Sequence, residues 1–228
     1  MEKKVVLKRK VKIISILLLI LIAFLVFFLI KILFGIKIKN IFIEGNNNIN
    51  DEYIIEKAGL KNYPSYFKSL TFSITKKLEN DPLIKKATVR KQFYGVVNIN
   101  IEENKVLFYK EIDNKYVLED GEEVDTVPYD ITPIRVVNFI PETVFENFIK
   151  KLSKLSDEVR SKISEIKYDP SEYDDSRFML YMIDGNYVYA TLTRFDSVNY
   201  YNDIYPTLGG KKGILYLDSG NHFQEIKP

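Results

Sequence analysis

The chain has no cysteine and a single histidine, His222, among its 228 residues. Without cysteine an exported domain cannot rely on disulfides, and thiolate chemistry is excluded. A zinc site with one histidine would need carboxylates for nearly every other ligand, an uncommon donor set. No metal or other cofactor is therefore expected. Charge of one sign is lacking too: the whole chain carries +2, and removing the +5 of the first twelve residues leaves −3 for residues 13–228. That balance provides neither a basic face for nucleic acid nor a strongly acidic tail. A phosphate-binding loop is also missing. Gly209-Gly210-Lys211-Lys212 lacks the GxxxxGK[ST] spacing and joins a helical stretch to a strand.

What the chain does have is a long apolar run. Residues 13–30, IISILLLILIAFLVFFLI, hold only Ser15 as a polar residue, and Ile32, Leu33 and Phe34 extend the run beyond Lys31. A spanning helix needs about 20 apolar residues, and a lysine near a helix end snorkels to the interface. The tail before it carries six basic residues against Glu2, whereas Lys31, Lys37 and Lys39 are the basic residues just after it. The positive-inside rule then places the tail in the cytoplasm and the bulk of the chain outside. A cleaved signal peptide is the rival reading. Its apolar core would span about 7–15 residues and end in small residues, and no A-x-A pattern follows here. The expected organisation is a cytoplasmic tail (1–12), a transmembrane anchor in the lipid bilayer (13–36) and two exported domains (37–105 and 106–228).

The first exported stretch reads β-α-α-β-β. IKIKNIFIEGNNN is a strand, with Ile36, Ile38, Ile41 and Ile43, ending in a turn at Gly45. Asn50-Asp51-Glu52 supplies an N-cap and an acidic first turn, and Gly59 closes a helix carrying Tyr53, Ile54, Ala58 and Leu60. A second helix spans about Thr71 to Asn80, with Phe72, Ile74 and Leu78 as apolar positions, and stops at Asp81-Pro82. Two strands follow, with Ile84, Ala87 and Val89 in one and Val97, Ile99 and Ile101 in the other.

From residue 106 the pattern is short strands with flanking helices. Glu119-Asp120-Gly121 marks a hairpin turn, and Pro141 opens a helix with Val144, Phe145, Phe148, Ile149, Leu152 and Leu155 on one stripe. Met179, Tyr181 and Ile183 alternate into Asp184-Gly185-Asn186, and Val188, Ala190 and Leu192 alternate out, a hairpin pattern. A short helix is expected from Ser197 to Leu208, then a last strand at GILYLDSG, with HFQEI after it.

Several runs in this order resemble the cell-division proteins of the FtsQ/DivIB family. They are Ile41-x-Ile43-x-Gly45-Asn46, Ala58-Gly59-Leu60, the Asn80-Asp81-Pro82-x-Ile84-x-x-Ala87-x-Val89 run and Val97-x-Ile99-x-Ile101-Glu102-Glu103. Ser164-Glu165-Ile166, Leu180–Gly185 and Lys212-Gly213-Ile214 with Leu217 look like the C-terminal β domain of the DivIB branch. The resemblance implies an α+β chain: one transmembrane helix, a POTRA domain and a mixed-sheet β domain. Two departures stand out: the tail is short, and Val198–Asn199, a position often basic in relatives, carries no lysine.

No enzyme is expected. The acids Glu119, Asp120, Glu122, Glu123 and Asp125 cluster at a turn, where a solvated hairpin tip is the simpler reading than a glycosidase pair. His222 has no triad partners at a recognisable spacing. The resemblance implies instead a bitopic scaffold at the division septum. Its partners would be FtsB/DivIC-like and FtsL-like bitopic proteins and the septal peptidoglycan synthases, with no nucleic acid. Docking would be by strand addition to a sheet edge, placed at Ile214, Leu215, Tyr216, Leu217 and Asp218, with Phe223 as an aromatic anchor. The competing classes are a membrane-anchored exported cell-wall enzyme and another POTRA-containing envelope protein.

Overall fold

The computed structural model describes residues 2–226, with side chains from Lys12 onward. The basic side chains of residues 3–10, on which the orientation argument leans, lie outside the described residues. Helix α1 runs Glu2–Gly35. Its Lys12–Gly35 stretch is long and apolar enough to cross a membrane, and none of it is buried against the rest of the chain. At about 1.5 Å per residue those 24 residues span about 36 Å, more than a hydrocarbon core of about 30 Å. The chain divides into two compact units, Met1–Glu102 and Glu103–Pro228.

In the first unit, α1 is followed by β1 (Asn40–Glu44), α2 (Asp51–Lys57), α3 (Thr71–Glu79), β2 (Ile84–Gln92) and β3 (Val96–Glu103), the expected β-α-α-β-β order. The sheet runs β1-β3-β2, with β1 parallel to β3. Asn50 caps α2 as its residue type dictates, its Oδ1 accepting from Tyr53 N at 2.8 Å. Ile54, Leu60, Ile74, Leu78, Val97 and Ile99 form the core between helices and sheet. Phe72 is 78% exposed. It lies about 200° round the helix from Ile74, so the two cannot share a face. Gly45 has φ +87°, and a Cβ there would sit 2.0 Å from the Ile101 carbonyl oxygen. Only glycine fits that turn against β3. Asp81 is buried and fully used, accepting from Tyr53 Oη at 2.8 Å, Leu83 N at 3.1 Å and Lys57 Nζ at 2.6 Å.

The second unit contains β4 (Val106–Lys110), β5 (Lys115–Leu118), β6 (Glu123–Val124), β7 (Arg135–Val136), α4 (Glu142–Leu152), α5 (Asp157–Arg160), β8 (Ile163–Tyr168), β9 (Arg177–Met182) and β10 (Tyr187–Thr191). It ends with α6 (Tyr201–Ile204), β11 (Gly213–Tyr216) and β12 (His222–Glu225). One mixed sheet orders them β12-β11-β10-β9-β8-β7-β4-β5-β6. Its two halves meet through β7, which pairs in parallel with β4 and β8 over two residues on each side. Helix α4 buries Val144, Phe148, Ile149 and Leu152, and Phe148 stacks on Phe178 of β9 at 4.6 Å.

Two local expectations change. On β9 the core takes Phe178, Leu180 and Met182 rather than Met179, Tyr181 and Ile183. Both alternating sets of that strand are apolar, so its own pattern does not choose a face. Pairing does, because Leu180 lies opposite Val188 and Phe178 opposite Ala190. The expected helix from Ser197 to Leu208 is instead a 3-10 stretch at Leu192–Tyr200, the single turn α6 and a second 3-10 turn at Tyr205–Leu208. Pro206 has no N–H with which to prolong α6, and Gly209 ends the run in the left-handed conformation.

Candidate functional site

The end of the sheet where the chain finishes is a four-strand arrangement, β9 to β12. Strand β11 lies inside it, parallel to β10 on one side and antiparallel to β12 on the other. This corrects the expectation that Ile214–Asp218 form the docking edge. The segment after Leu217 turns back on itself through Gly220 (φ +102°) and Asn221 (φ +56°), and HFQE returns as a twelfth strand. The exposed edge belongs to β12.

The close approach of β12 depends on Gly213. A Cβ there would stand 2.2 Å from the Gln224 carbonyl oxygen and 2.7 Å from the Phe223 ring. Opposed residues are Gly213 and Glu225, Ile214 and Gln224, Leu215 and Phe223, and Tyr216 and His222. Just past the strand, Ile226 N donates to Lys212 O at 3.0 Å. Hydrogen-bonded and non-hydrogen-bonded pairs alternate in an antiparallel ladder, so Gln224 and His222 direct their backbone groups towards β11. The N–H and C=O of Phe223 and Glu225 then face away from the sheet. No strand among the described residues pairs with that side.

Behind this edge the sheet is braced on both faces. On the core face Leu215 is buried and Phe223 packs against the core. On the other face a ladder of flat groups crosses four strands. The Arg177 guanidinium lies 3.6 Å from the centre of the Tyr189 ring, Tyr189 stacks on Tyr216 at 5.4 Å, and Tyr216 stacks on His222 at 4.5 Å. Such cation–π and aromatic neighbours favour one geometry over others. Arg177 Nε also donates to Asp218 at 2.9 Å, while Tyr189 Oη donates to Asp169 at 3.2 Å. The Lys167 ammonium, hydrogen-bonded at 2.9 Å, holds the Asp169 carboxyl below its ordinary value, and burial raises the Tyr189 phenol.

The start of β11 is fixed by a buried polar network. Asn186, 1% exposed in the β9–β10 turn, accepts from Gly213 N through Oδ1 at 2.9 Å and donates through Nδ2 to Tyr201 Oη at 3.2 Å. Tyr201 Oη donates to Asp184 at 2.7 Å. Burial, and then that bond, push the Tyr201 phenol well above its ordinary range, so it acts as a neutral donor.

Each residue expected to bind a partner now has a place. Leu215 and Leu217 are buried, Ile214 and Tyr216 are half-buried on the outer face of β11, and Asp218 is engaged by Arg177. Phe223 sits on β12 itself with its ring turned inward. Reading GILYLDSG as the last strand missed His222, Gln224 and Glu225. The signal was the Ser219-Gly220-Asn221 turn, a sequence suited to positive φ between two short strands. Three of the five acids around the β5–β6 hairpin are tied up structurally, Glu119 with Arg160 at 3.1 Å, Asp120 with Asn104 at 2.7 Å and Glu123 with Lys110 at 2.8 Å, while Glu122 and Asp125 are exposed. The opposite sheet edge, β6, is only two residues long, which itself limits strand addition there.

Comparison with known proteins agrees with the fold of the first unit. The FtsQ-type POTRA domain matches residues 36–104. The chain is 35% identical over 197 residues to cell division protein DivIB of Bacillus subtilis (strain 168), covering 83% of this chain and 74% of that protein. It is 31% identical to DivIB of Listeria monocytogenes over 195 residues, 82% and 72% of the two chains. Among solved structures, the major extracytoplasmic domain of DivIB from Geobacillus stearothermophilus is 26% identical, with a TM-score of 0.38 over 47% of this chain and 96% of that one. By its likeness to the Bacillus and Listeria proteins along most of their length, the chain belongs to the DivIB family of cell-division proteins.

Proposed function

We propose that this protein is a non-enzymatic bitopic scaffold of the division machinery. In this reading α1 spans the membrane with its basic tail in the cytoplasm. The second unit receives a strand from an FtsB/DivIC-like bitopic partner along the outer side of β12, in a complex that also holds an FtsL-like protein. Through that complex it would control septal peptidoglycan synthases and concentrate at the septum. The observation that carries the reading is the backbone of Phe223 and Glu225, unpaired among the described residues on a braced edge, in a chain of a cell-division family. Main-chain hydrogen bonds supply the affinity in strand addition, and alternate side chains supply selectivity. Confinement of both partners to one membrane raises their effective concentration, so a short edge suffices.

The test separates the edge from the fold. Glu225→Pro removes an outward N–H and leaves the Ile214–Gln224 pairing to β11 in place, a change that edge strands tolerate. Full-length Glu225→Pro, co-expressed with tagged FtsB/DivIC-like and FtsL-like proteins, is expected to lose co-purification while keeping its circular dichroism. Undiminished capture would reject the edge. A uniform membrane distribution of a fluorescent fusion in dividing cells would reject the septal role.

A further inference from the structure

The end of the first unit that adjoins α1 has an unusual surface. Three short segments meet there. Ser65 Oγ donates to the Phe34 carbonyl at 2.6 Å, Tyr66 N to Ile36 O at 2.8 Å, Ile38 N to Pro64 O at 3.0 Å, and Lys39 N to Gly95 O at 2.8 Å. Residues 34–39, 60–72 and 91–96 together contain five lysines and no acid. Lys61 reaches Glu56 at 3.2 Å, and Lys91 lies over the Tyr66 ring at 4.3 Å. That leaves Lys37 and Lys39, both exposed, and Lys68, also exposed, whose ammonium lies 5.9 Å from the centre of the Phe34 ring at the end of α1.

Aromatic rings accompany them. Tyr63 and Phe67 are exposed, and at the tip between β2 and β3 Phe93 is 90% and Tyr94 87% exposed. Tyr94 has φ +67°, a conformation uncommon for a residue with a ring, and Gly95 follows it at φ +82°. A turn that holds two adjacent rings away from the core in this conformation does not bury them anywhere in its own unit.

We infer that this basic, aromatic end rests on the outer-leaflet headgroups of the same bilayer that α1 crosses, and that anionic phospholipid is its ligand. The inference depends on α1 being a membrane anchor, as proposed above. Distance argues for lipid. Lys39 is four residues beyond Gly35, so the Gly95 carbonyl it binds is within about 14 Å of the helix end even if the linker were fully extended. Segment 64–66 is hydrogen-bonded to Phe34 and Ile36 directly. The headgroup layer on each side of the hydrocarbon is about 5–8 Å deep, so segment 64–66 falls at that level and the Phe93–Gly95 turn lies at it or just beyond. Chemistry argues the same way. Tyrosine and other amphipathic rings concentrate at membrane interfaces, and clustered lysines with no acid among them complement phosphate headgroups. The consequence is a first unit held against the membrane rather than swinging on a free linker.

The chain has no tryptophan, which gives a clean optical test. Full-length protein with a single introduced tryptophan would be reconstituted into phosphatidylglycerol–phosphatidylcholine vesicles whose acyl chains carry bromine near the ester carbonyls. Three sites are compared: Phe93→Trp at the tip, Phe24→Trp within α1, and Lys86→Trp at the far end of β2, about 23 Å along the strand from Phe93. Phe93→Trp should be blue-shifted and quenched several-fold more than Lys86→Trp, and neutralising Lys37, Lys39 and Lys68 to Gln should reduce that quenching. If Phe24→Trp is quenched and Phe93→Trp behaves like Lys86→Trp, the inference is overturned while the anchor stands. An unquenched Phe24→Trp removes the anchor and this inference with it. Quenching of Phe93→Trp that is unchanged in pure phosphatidylcholine and after lysine neutralisation would overturn the assignment to anionic headgroups.

Discussion

Asn186→Ala is expected to be among the costliest substitutions in the second unit, although the residue is small and polar. Its Oδ1 is the acceptor for Gly213 N, and its Nδ2 supports the Tyr201 hydroxyl, both in a region closed to water. Truncation leaves the Gly213 N–H without its acceptor and weakens the Tyr201–Asp184 bond. A buried donor left without a partner costs about 1–3 kcal/mol, and a weakened hydrogen bond about 1 kcal/mol more. The expected loss is thus about 2–4 kcal/mol, a large share of the 5–15 kcal/mol typical of a domain. Urea unfolding of detergent-solubilised protein should show a lower midpoint with an unchanged slope. Amide exchange should report faster opening at Gly213 than at Leu180 in the sheet interior. Because Gly213 starts β11 and β11 carries β12, partner capture should fall together with Gly213 protection. Asn186→Asp keeps an acceptor for Gly213 and should preserve more of that protection than Ala does. An Asn186→Ala unfolding free energy within about 0.5 kcal/mol of the parent, with the Gly213 amide still protected, would refute the argument.

Gly213→Ala should separate β12 from β11, since the added Cβ would meet the Gln224 carbonyl at 2.2 Å; overpacking of this kind costs about 1–3 kcal/mol, and limited proteolysis should release the last residues early. Asp81→Ala in the first unit should destabilise by about 1–3 kcal/mol, as it strands the buried Leu83 N–H and takes a partner from the part-buried Tyr53 hydroxyl and the half-exposed Lys57 ammonium; thermal unfolding measures this. The lowered Asp169 carboxyl contributes stability that is present above its unfolded value near pH ~3.9 and is lost as pH falls through its lower folded value. Its partial exposure keeps that contribution below about 1 kcal/mol. Asp169→Asn should therefore flatten only the acid limb of a stability–pH profile below about pH 4, and an equal change at neutral and acid pH would reject the linkage. Phe72→Ser should leave stability within about 0.5 kcal/mol of the parent by the same thermal measurement, because the ring is exposed.

The parts of the fold that were legible in the sequence are those in which one residue's neighbours in the chain decide its state. Asn50 caps because its side chain reaches a donor three residues on, and the stripe of α4 is buried because its apolar residues fall on one face. The β2 and β3 alternation worked for the same reason, since their outward positions are polar. Elements decided by distant partners were not legible. Strand β9 is apolar on both faces, and its inward set is chosen by β10. The edge was misplaced because β12 is only four residues long and is recognisable as a strand chiefly by its pairing with β11. Asn186 gave no sign of its role, since a turn asparagine is ordinary and the acceptor it provides serves a residue 27 positions away.

The narrow β7 seam has a mechanical consequence. Two residues, Arg135 and Val136, join the three strands β4, β5 and β6 to the five strands from β8 to β12. Beyond them, Asn138 continues the join with its side chain, exchanging hydrogen bonds of 2.8 Å with both the N–H and the carbonyl of Tyr168. Arg135 also spans the seam on the outer face, pairing with Glu111 on one side and Glu165 on the other. A tension applied at β12, such as that between a docked strand and its own tether, would cross the short β11–β12 and β10–β11 ladders and the longer β9–β10 and β8–β9 ladders before it reached the seam. The sheet is therefore built as two plates with a short suture. Backbone pairing is thinnest at Arg135–Val136, and α4 reinforces that seam from the core side, where Phe148 meets both Phe108 of β4 and Phe178 of β9.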